Sequence, residues 1–325
     1  MLLARKIGAA LAAGCTTVSK PASGTPLTTA AWFACFDEAG FPPGAVNLVT
    51  GPASELAEEF LTHPDIAKLA FTGSTEVGRQ LLAGSAAHFK KLELELGGHA
   101  PVLVFPDVDL SAAVEACVVG KFRNMGQSCI SLSRFYVHRD IAADFTEAVV
   151  ARVAAMKLGH PLDPECEAGP LFEARGVEKT EGFVADLLAK GGRVLLGGRR
   201  PPGFDRGYWY EPTVADRLSP DMRLCREEIF GPLMPLFTFD DLDSGLRAAN
   251  DTPYGLAAYV LTRDLSTALR CAEELEAGVI GINDGVPSTA EAPFGGMKHS
   301  GLGRENGMEG LGEYLETKFV SLGPD

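Results

Sequence analysis

The chain has no surplus of positive charge to offer a polyanion. Its 325 residues carry 29 Lys and Arg against 43 Asp and Glu, a net charge of −14. That balance argues against nucleic acid and anionic membrane as partners. It leaves room for a small anionic substrate, which needs only local positive charge. No apolar run reaches the length of a bilayer span. Cysteine is scarce and scattered: seven residues with no C-x-x-C pair and no His/Cys cluster. Neither a zinc site nor a disulfide framework is therefore expected, and a reducing, cytoplasmic setting fits. His63, His88, His99, His138, His160 and His299 show no ligand spacing, so no metal is expected. Internal repeats and low-complexity segments are also missing.

What is present reads as a globular α/β protein. Hydrophobic residues make up 46% and charged residues 22%, ordinary values for a folded chain. The length exceeds one core of usual size, so two lobes are expected. Met1 to Cys15 superficially resembles a lipoprotein leader, but its apolar stretch is near the lower limit for one. It reads better as an apolar helix closed at Gly14 and running into a strand at Thr16–Ser19. Short apolar strands then alternate with helices: Val46–Val49, Ala67–Phe71 and Lys91–Leu96 are strands, and helices open at Pro26, Glu55 and Glu76. Such alternation implies a parallel sheet with covered faces. The pattern restarts after Gly97-Gly98, with a strand at Pro101–Phe105 and a helix at Leu110–Val119. It continues to a last strand at Val279–Ile282. A lobe boundary is expected near Gly97.

Chemistry concentrates in two short words. Cys129 lies in Gly126-Gln127-Ser128-Cys129, and Glu95 lies in Leu94-Glu95-Leu96-Gly97-Gly98. A thiol on a glycine-containing loop and a carboxylate beside a glycine pair suit the making and hydrolysis of a thioester. By itself the pair is weak, because a lone cysteine is usually buried and structural. A second signal is Gly73-Ser74, where a helix starts after a strand. Free N–H groups and a positive dipole end at such a start suit a pyrophosphate, although an ordinary helix cap gives the same pattern.

The surrounding words resemble those of the aldehyde dehydrogenase superfamily. They are Lys20-Pro21-Ala22-Ser23, Phe71-Thr72-Gly73-Ser74-Thr75-Glu76-Val77-Gly78, Leu94-Glu95-Leu96-Gly97-Gly98, Gly126-Gln127-Ser128-Cys129, Glu227-Glu228-Ile229-Phe230-Gly231-Pro232 and Pro293-Phe294-Gly295-Gly296. They stand in the family's order over nearly the whole chain. Lys121-Phe122-Arg123-Asn124 and Ser300-Gly301-Leu302-Gly303-Arg304-Glu305 look most like the succinate-semialdehyde dehydrogenases within it. The resemblance implies a partial Rossmann-type cofactor domain over 1–97, an α/β catalytic domain over 98–297, and a return segment with an oligomerisation strand over 298–325. Family members normally carry upstream the start of the cofactor domain, an Asn-containing word and a β-arm. This sequence therefore looks like the C-terminal portion of a family member.

The resemblance also implies roles. Cys129 would be the nucleophile, and Glu95 the base that activates water for deacylation. The backbone N–H of Cys129 would be one oxyanion donor, with the second on the upstream Asn. Lys20, Ser23, Gly73, Ser74, Glu228 and Phe230 would hold NADP or NAD. Ser23 stands where many NAD-using members carry Glu. A carboxylate there repels a 2′-phosphate and a serine does not, so NADP is favoured. Arg123 and Ser288 would bind the remote carboxylate of succinic semialdehyde, or of glutarate or 2-oxoglutarate semialdehyde, because a guanidinium fork fixes a carboxylate bidentately. Ser131, two positions after Cys129, removes the neighbouring cysteine that some members carry. Glu313–Phe319 alternates like a strand and would pair across a homodimer or homotetramer interface. The alternative is a non-catalytic chain that binds only cofactor or a paralogue.

Overall fold

The computed structural model describes residues 2–324. They form two compact units, one of Met1–Leu96, Ser288–Gly295 and Gly301–Asp325, the other of Gly97–Pro287 and Gly296–Ser300. The first unit opens with α1 (Leu2–Ala12), β1 (Thr17–Ser19), α2 (Pro26–Glu38), β2 (Val46–Leu48), α3 (Ala53–Thr62), β3 (Lys68–Thr72), α4 (Thr75–Ser85) and β4 (Lys91–Glu95). The second follows with β5 (Ala100–Val104), α5 (Leu110–Phe122), β6 (Leu132–His138), α6 (Ala142–Ala154), α7 (Ala174–Ala189), β7 (Arg193–Leu196), β8 (Thr213–Asp216) and β9 (Leu233–Phe239). It continues with α8 (Leu242–Asn250), β10 (Tyr254–Gly255), β11 (Ala257–Leu261), α9 (Leu265–Glu274), β12 (Val279–Ile282) and β13 (Met297–Lys298). The chain returns to the first unit with β14 (Gly301–Leu302) and α10 (Gly307–Gly312).

In the first unit β1 pairs parallel with β2, and β3 pairs parallel with β4. β14 adds to the other edge of β4 in antiparallel sense. The word Lys-Leu-Glu-Leu-Glu in β4 explains its placement. Side chains alternate faces along a strand, so Leu92 and Leu94 point one way and Glu93 and Glu95 the other. The leucines join Leu61, Leu69, Leu81 and Leu96 in one apolar cluster. The two carboxylates are carried to the opposite face, where both are buried.

The second unit is built on a sheet of order β12-β11-β5-β6-β9-β8-β7, parallel except for the β7–β8 pair. Every residue of β5 and β11 is buried, as a parallel sheet covered on both faces requires. Val102, Val104, Phe135 and Val137 pack against Cys117 and Val118 of α5 and Phe145 and Val149 of α6. Leu103, Val260 and Phe239 pack the other way, against Leu246 of α8 and Cys271 of α9. Each such side chain contributes about 1.5–3 kcal/mol of burial.

The structure departs from the sequence reading in four places. α5 runs to Phe122 rather than Val119, which carries Lys121 into the buried interior. β8 emerges from a Gly-, Pro- and aromatic-rich stretch in which no periodicity is visible. Ser288–Gly295 packs with the first unit and Gly296–Ser300 with the second, an alternation that a single boundary at 297 does not contain. Glu313–Phe319 forms no strand within the chain: after α10 the backbone is irregular, and Phe319 and Leu322 are exposed. An extended segment needs a neighbour for its N–H and C=O groups, and no strand of the described residues lies beside it.

Gly301 makes the β14–β4 pairing possible. Its φ is 142°, and a Cβ there would lie 1.8 Å from the carbonyl oxygen of Leu94. Gly301→Ala is expected to destabilise the chain by roughly 2 kcal/mol or more, read as a lowered urea midpoint. An unchanged midpoint would contradict the close approach.

Candidate active site

In the second unit the cysteine loop follows α5 through an unusual backbone. Asn124 and Met125 have φ of 49° and 54°, and Gly126 has φ of 72°. Left-handed non-glycine residues cost on the order of 1 kcal/mol or more each, so the surroundings must hold them. The Asn124 side chain donates to the Gln127 carbonyl (2.9 Å), and the Gln127 side chain donates to the Asn124 carbonyl (3.0 Å). The Phe172 N–H donates to Gln127 Oε1 (2.9 Å), and the Tyr259 hydroxyl donates to the Ile130 carbonyl (2.6 Å). Cys129 sits half-buried on this clamped turn. Gly126 cannot be larger, because a Cβ there would lie 2.3 Å from the Gly231 carbonyl oxygen.

Gly97 and Gly98 connect Cys129 with Glu228. A Cβ on Gly98 would lie 2.4 Å from the Cys129 carbonyl oxygen, and one on Gly97 would lie 2.8 Å from Glu228 Oε2. The Gly98 N–H donates to Glu228 Oε1 (3.0 Å). Burial raises the Glu228 carboxyl, while the Gly98 N–H and the positive charge of Lys179 hold it down. Burial lowers the Lys179 ammonium, and Glu228 and Glu227 oppose that. Phe230, two residues on, has φ of 44° and an exposed ring.

In the first unit Glu95 ends β4. It is buried, and neither carboxylate oxygen has a hydrogen-bond partner among the described residues. Burial, reinforced by the like charges of Glu305 and Glu93, pushes its carboxyl up to about 8; Lys6 and Arg304 pull the other way. Oε1 would be 2.8 Å from a Cβ on Gly295, so the Phe-Gly-Gly word lies against the carboxylate. Lys6 of α1 is ion-paired with Glu305 and donates to Thr72 Oγ1 (2.7 Å). Lys68 donates to Glu93 (2.5 Å) and lies 3.7 Å from the centre of the Tyr314 ring.

The remaining residues fall as follows. The Gly73 N–H donates to the Glu95 carbonyl (3.0 Å), and Ser74 caps α4 by accepting from the Val77 N–H (3.4 Å). The Gly73-Ser74 turn and Glu95 are thus joined by one backbone bond. Lys20 Nζ donates to the Pro21 carbonyl (2.7 Å) and to Ser23 Oγ (3.4 Å). Arg123 is exposed at the end of α5, and no carboxylate of the described residues pairs with it. Ser288 accepts a hydrogen bond from Arg5 (2.7 Å). No group of three His, Cys, Asp or Glu among the described residues could hold a metal, and no helix is long and apolar enough to cross a membrane.

Lys6, Glu305 and Lys179 were missed by the sequence reading. Lys6 did leave a signal, a basic residue inside an apolar helix. Glu305 and Lys179 left none that spacing alone could rank.

The raised Glu95 carboxyl makes stability depend on pH. Below the ordinary value of 4.5 the group is protonated folded and unfolded. Between there and about 8 only the unfolded chain releases the proton, so stability falls as pH rises, by up to roughly 1.4 kcal/mol per unit. Glu95→Gln is expected to flatten the urea midpoint across this interval relative to the parent. Parallel profiles for the two chains would show that Glu95 titrates normally.

The chain is similar to known proteins. The aldehyde dehydrogenase family model matches residues 1–320. A probable succinate-semialdehyde dehydrogenase [NADP(+)] of Sinorhizobium fredii is 47% identical over 99% of this chain and 65% of its own length. A glutarate-semialdehyde dehydrogenase of Pseudomonas aeruginosa is 45% identical over 99% of this chain and 66% of its own. A crystal structure described as an E. coli NADP-dependent enzyme superposes with a TM-score of 0.94 at 45% identity, covering 97% of this chain and 65% of that one. The chain therefore spans about two thirds of the relatives it matches. Matched by the family model over nearly its whole length, the chain belongs to the aldehyde dehydrogenase family.

Proposed function

We propose that this polypeptide serves the NAD(P)-dependent oxidation of an aldehyde bearing a remote carboxylate, succinic semialdehyde first, through a thioester on Cys129. The observation that carries the reading is the packing of Gly98, whose α-carbon meets the Cys129 carbonyl and whose N–H holds Glu228. One glycine thereby ties the nucleophile's loop to a carboxylate suited to a ribose hydroxyl. Cys129 attacks the aldehyde carbon as a thiolate and forms a thiohemiacetal. Loss of hydride leaves a thioester. Glu95, free of any internal hydrogen bond and with a carboxyl near the working pH, takes a proton from the hydrolytic water. Lys6 and Glu305, beside it, offer the proton a charged neighbourhood in which to settle.

The cofactor, when bound, supplies the hydride acceptor. Gly73 and Ser74 at the start of α4 suit its pyrophosphate, because that helix end carries the positive end of the dipole. Lys20 and Ser23 suit its adenosine ribose. They form a cation–hydroxyl pair, and no carboxylate of the described residues pairs with Lys20. That donor set fits a 2′-phosphate and favours NADP, in keeping with the NADP(+) in the name of the Sinorhizobium fredii relative. Glu228 and Phe230 are assigned to the nicotinamide ribose and ring, and Lys179 to Glu228's charge. Arg123 and Ser288 are assigned to the substrate's remote carboxylate. The exposed, unpaired guanidinium of Arg123 is available for that role. A glutarate semialdehyde differs by one methylene, worth about 1–3 kcal/mol of discrimination.

The test is reduced-cofactor formation by the purified chain with succinic semialdehyde and NADP. Cys129→Ala is expected to lower turnover by roughly 10³-fold or more. Glu95→Gln is expected to release a stoichiometric burst of reduced cofactor and then stall, because acylation survives and deacylation does not. Arg123→Ala is expected to lose roughly 10- to 100-fold in kcat/KM with the semialdehyde and little with butanal. Turnover unaffected by Cys129→Ala would overturn the thioester route. A folded chain without turnover would favour the cofactor-binding or paralogue-binding alternative.

A further inference from the structure

Lys121 is the one lysine of the second unit with a fully buried side chain, and its amino group has no hydrogen-bond partner among the described residues. It lies in the last turn of α5, where a positive charge complements the helix dipole. Its Nζ lies 3.3 Å from the Cβ position of Gly126, on the α-carbon that also meets the Gly231 carbonyl. Two loops cross at this point: the cysteine loop through Gly126, and the Glu228–Phe230 loop through Gly231. Left-handed backbone is held on both, at Asn124, Met125 and Gly126 on one side and at Phe230 on the other. The Gly231 carbonyl already accepts from the Leu233 N–H (3.0 Å), which leaves a lone pair of its two for another donor. Ser131, just after the cysteine, donates to the Lys121 carbonyl (3.4 Å) and ties β6 to the same helix turn.

A buried amine without partners costs stability, about 1–3 kcal/mol for a neutral group and more for a charged one. A methionine or leucine of similar volume would avoid that cost and fill the same space. Burial alone pulls the Lys121 ammonium down to about 7. His99, also buried and packed edge-on to the Tyr254 ring, is lowered well below its ordinary value by burial, with Arg134 and Lys121 adding to it. The interior behind the cysteine loop thus disfavours positive charge on both groups.

We propose that Lys121 is a positioning residue that fixes the crossing of the Cys129 loop and the Glu228–Phe230 loop through its buried amino group, and that it does so at a cost in stability. The proposal rests on the reading of Cys129 as the nucleophile. With no direct partner among the described residues, its donors reach the backbone of the two loops through bridging water and so hold Cys129 in its reactive setting. The group touches neither substrate nor cofactor.

The test is the rate at which iodoacetamide alkylates Cys129, followed by peptide mapping in the whole chain, with exposed Cys35 as an internal reference. Lys121→Met and Lys121→Leu are compared with the parent, beside their urea midpoints. The expected result is a dissociation: the apolar variants become more stable, while Cys129 alkylation slows by about tenfold and Cys35 is unaffected. A merely structural lysine would change the midpoint and leave the alkylation rate alone, which overturns the proposal. Failure of both variants to fold also overturns it, because the amine would then stabilise rather than cost. A parent in which Cys129 reacts no faster than Cys35 sinks the nucleophile reading itself. A fast parent with equally fast variants sinks only the role of Lys121.

Discussion

The carbonyl of Cys129 occupies the space where a side chain on Gly98 would begin, and much of the second unit follows from that contact. Because Gly98 is bare, the cysteine loop can lie against the chain as it enters β5. Because the same glycine still carries an N–H, it can hold Glu228 from the third loop. Gly97 repeats the arrangement one residue earlier, giving its own side-chain space to the Glu228 carboxylate. The parallel sheet supplies the rigidity: β5, with every residue buried, fixes where Gly98 can be. Three segments far apart in sequence are thereby placed by two hydrogen atoms in place of two side chains.

Strand alternation organises the first unit in a different currency. β4 sends leucines into an apolar cluster and glutamates to the opposite face. Burial raises both carboxyls, but among the described residues only Glu93 has a hydrogen-bond donor, in Lys68. The difference in partners separates two otherwise similar groups on one strand. Glu93 is anchored by charge to the segment around Tyr314, whereas Glu95 is left with its oxygens unengaged. A carboxylate that no internal donor satisfies retains its basicity, which is the property water activation requires.

The sequence made some of this legible and hid the rest for identifiable reasons. The strand at Val279–Ile282 and the helix opening at Pro26 announce themselves through apolar runs and a proline at a helix start, and both stand in the structure. Gly73-Ser74 and Glu95 were readable as separate words. Their joining by one backbone bond was not, since it depends on β3 pairing with β4 in register. β8 is four residues long within an irregular stretch, too short for any period to register. Lys121 was hidden by a boundary error of a single turn: with α5 ending at Val119 it reads as a loop cation, and with α5 reaching Phe122 it points inward. The alternation of Glu313–Phe319 was real in the sequence, but alternation describes a strand only where a neighbouring strand receives it.

Burial acts on Glu95, Lys121 and Lys179 in opposite directions, as their opposite charges require. It raises the Glu95 carboxyl towards neutrality and lowers the Lys121 and Lys179 ammonium groups towards ordinary pH. Glu95 at about 8 and Lys121 at about 7 are thereby moved to where a small change in surroundings alters their charge. Lys179 and Glu228 each oppose the shift that burial imposes on the other. Lys121 has no counterion to temper it. Strain in the backbone and an unsatisfied amine are each unfavourable alone. Both meet where Gly126 lies against the Gly231 carbonyl.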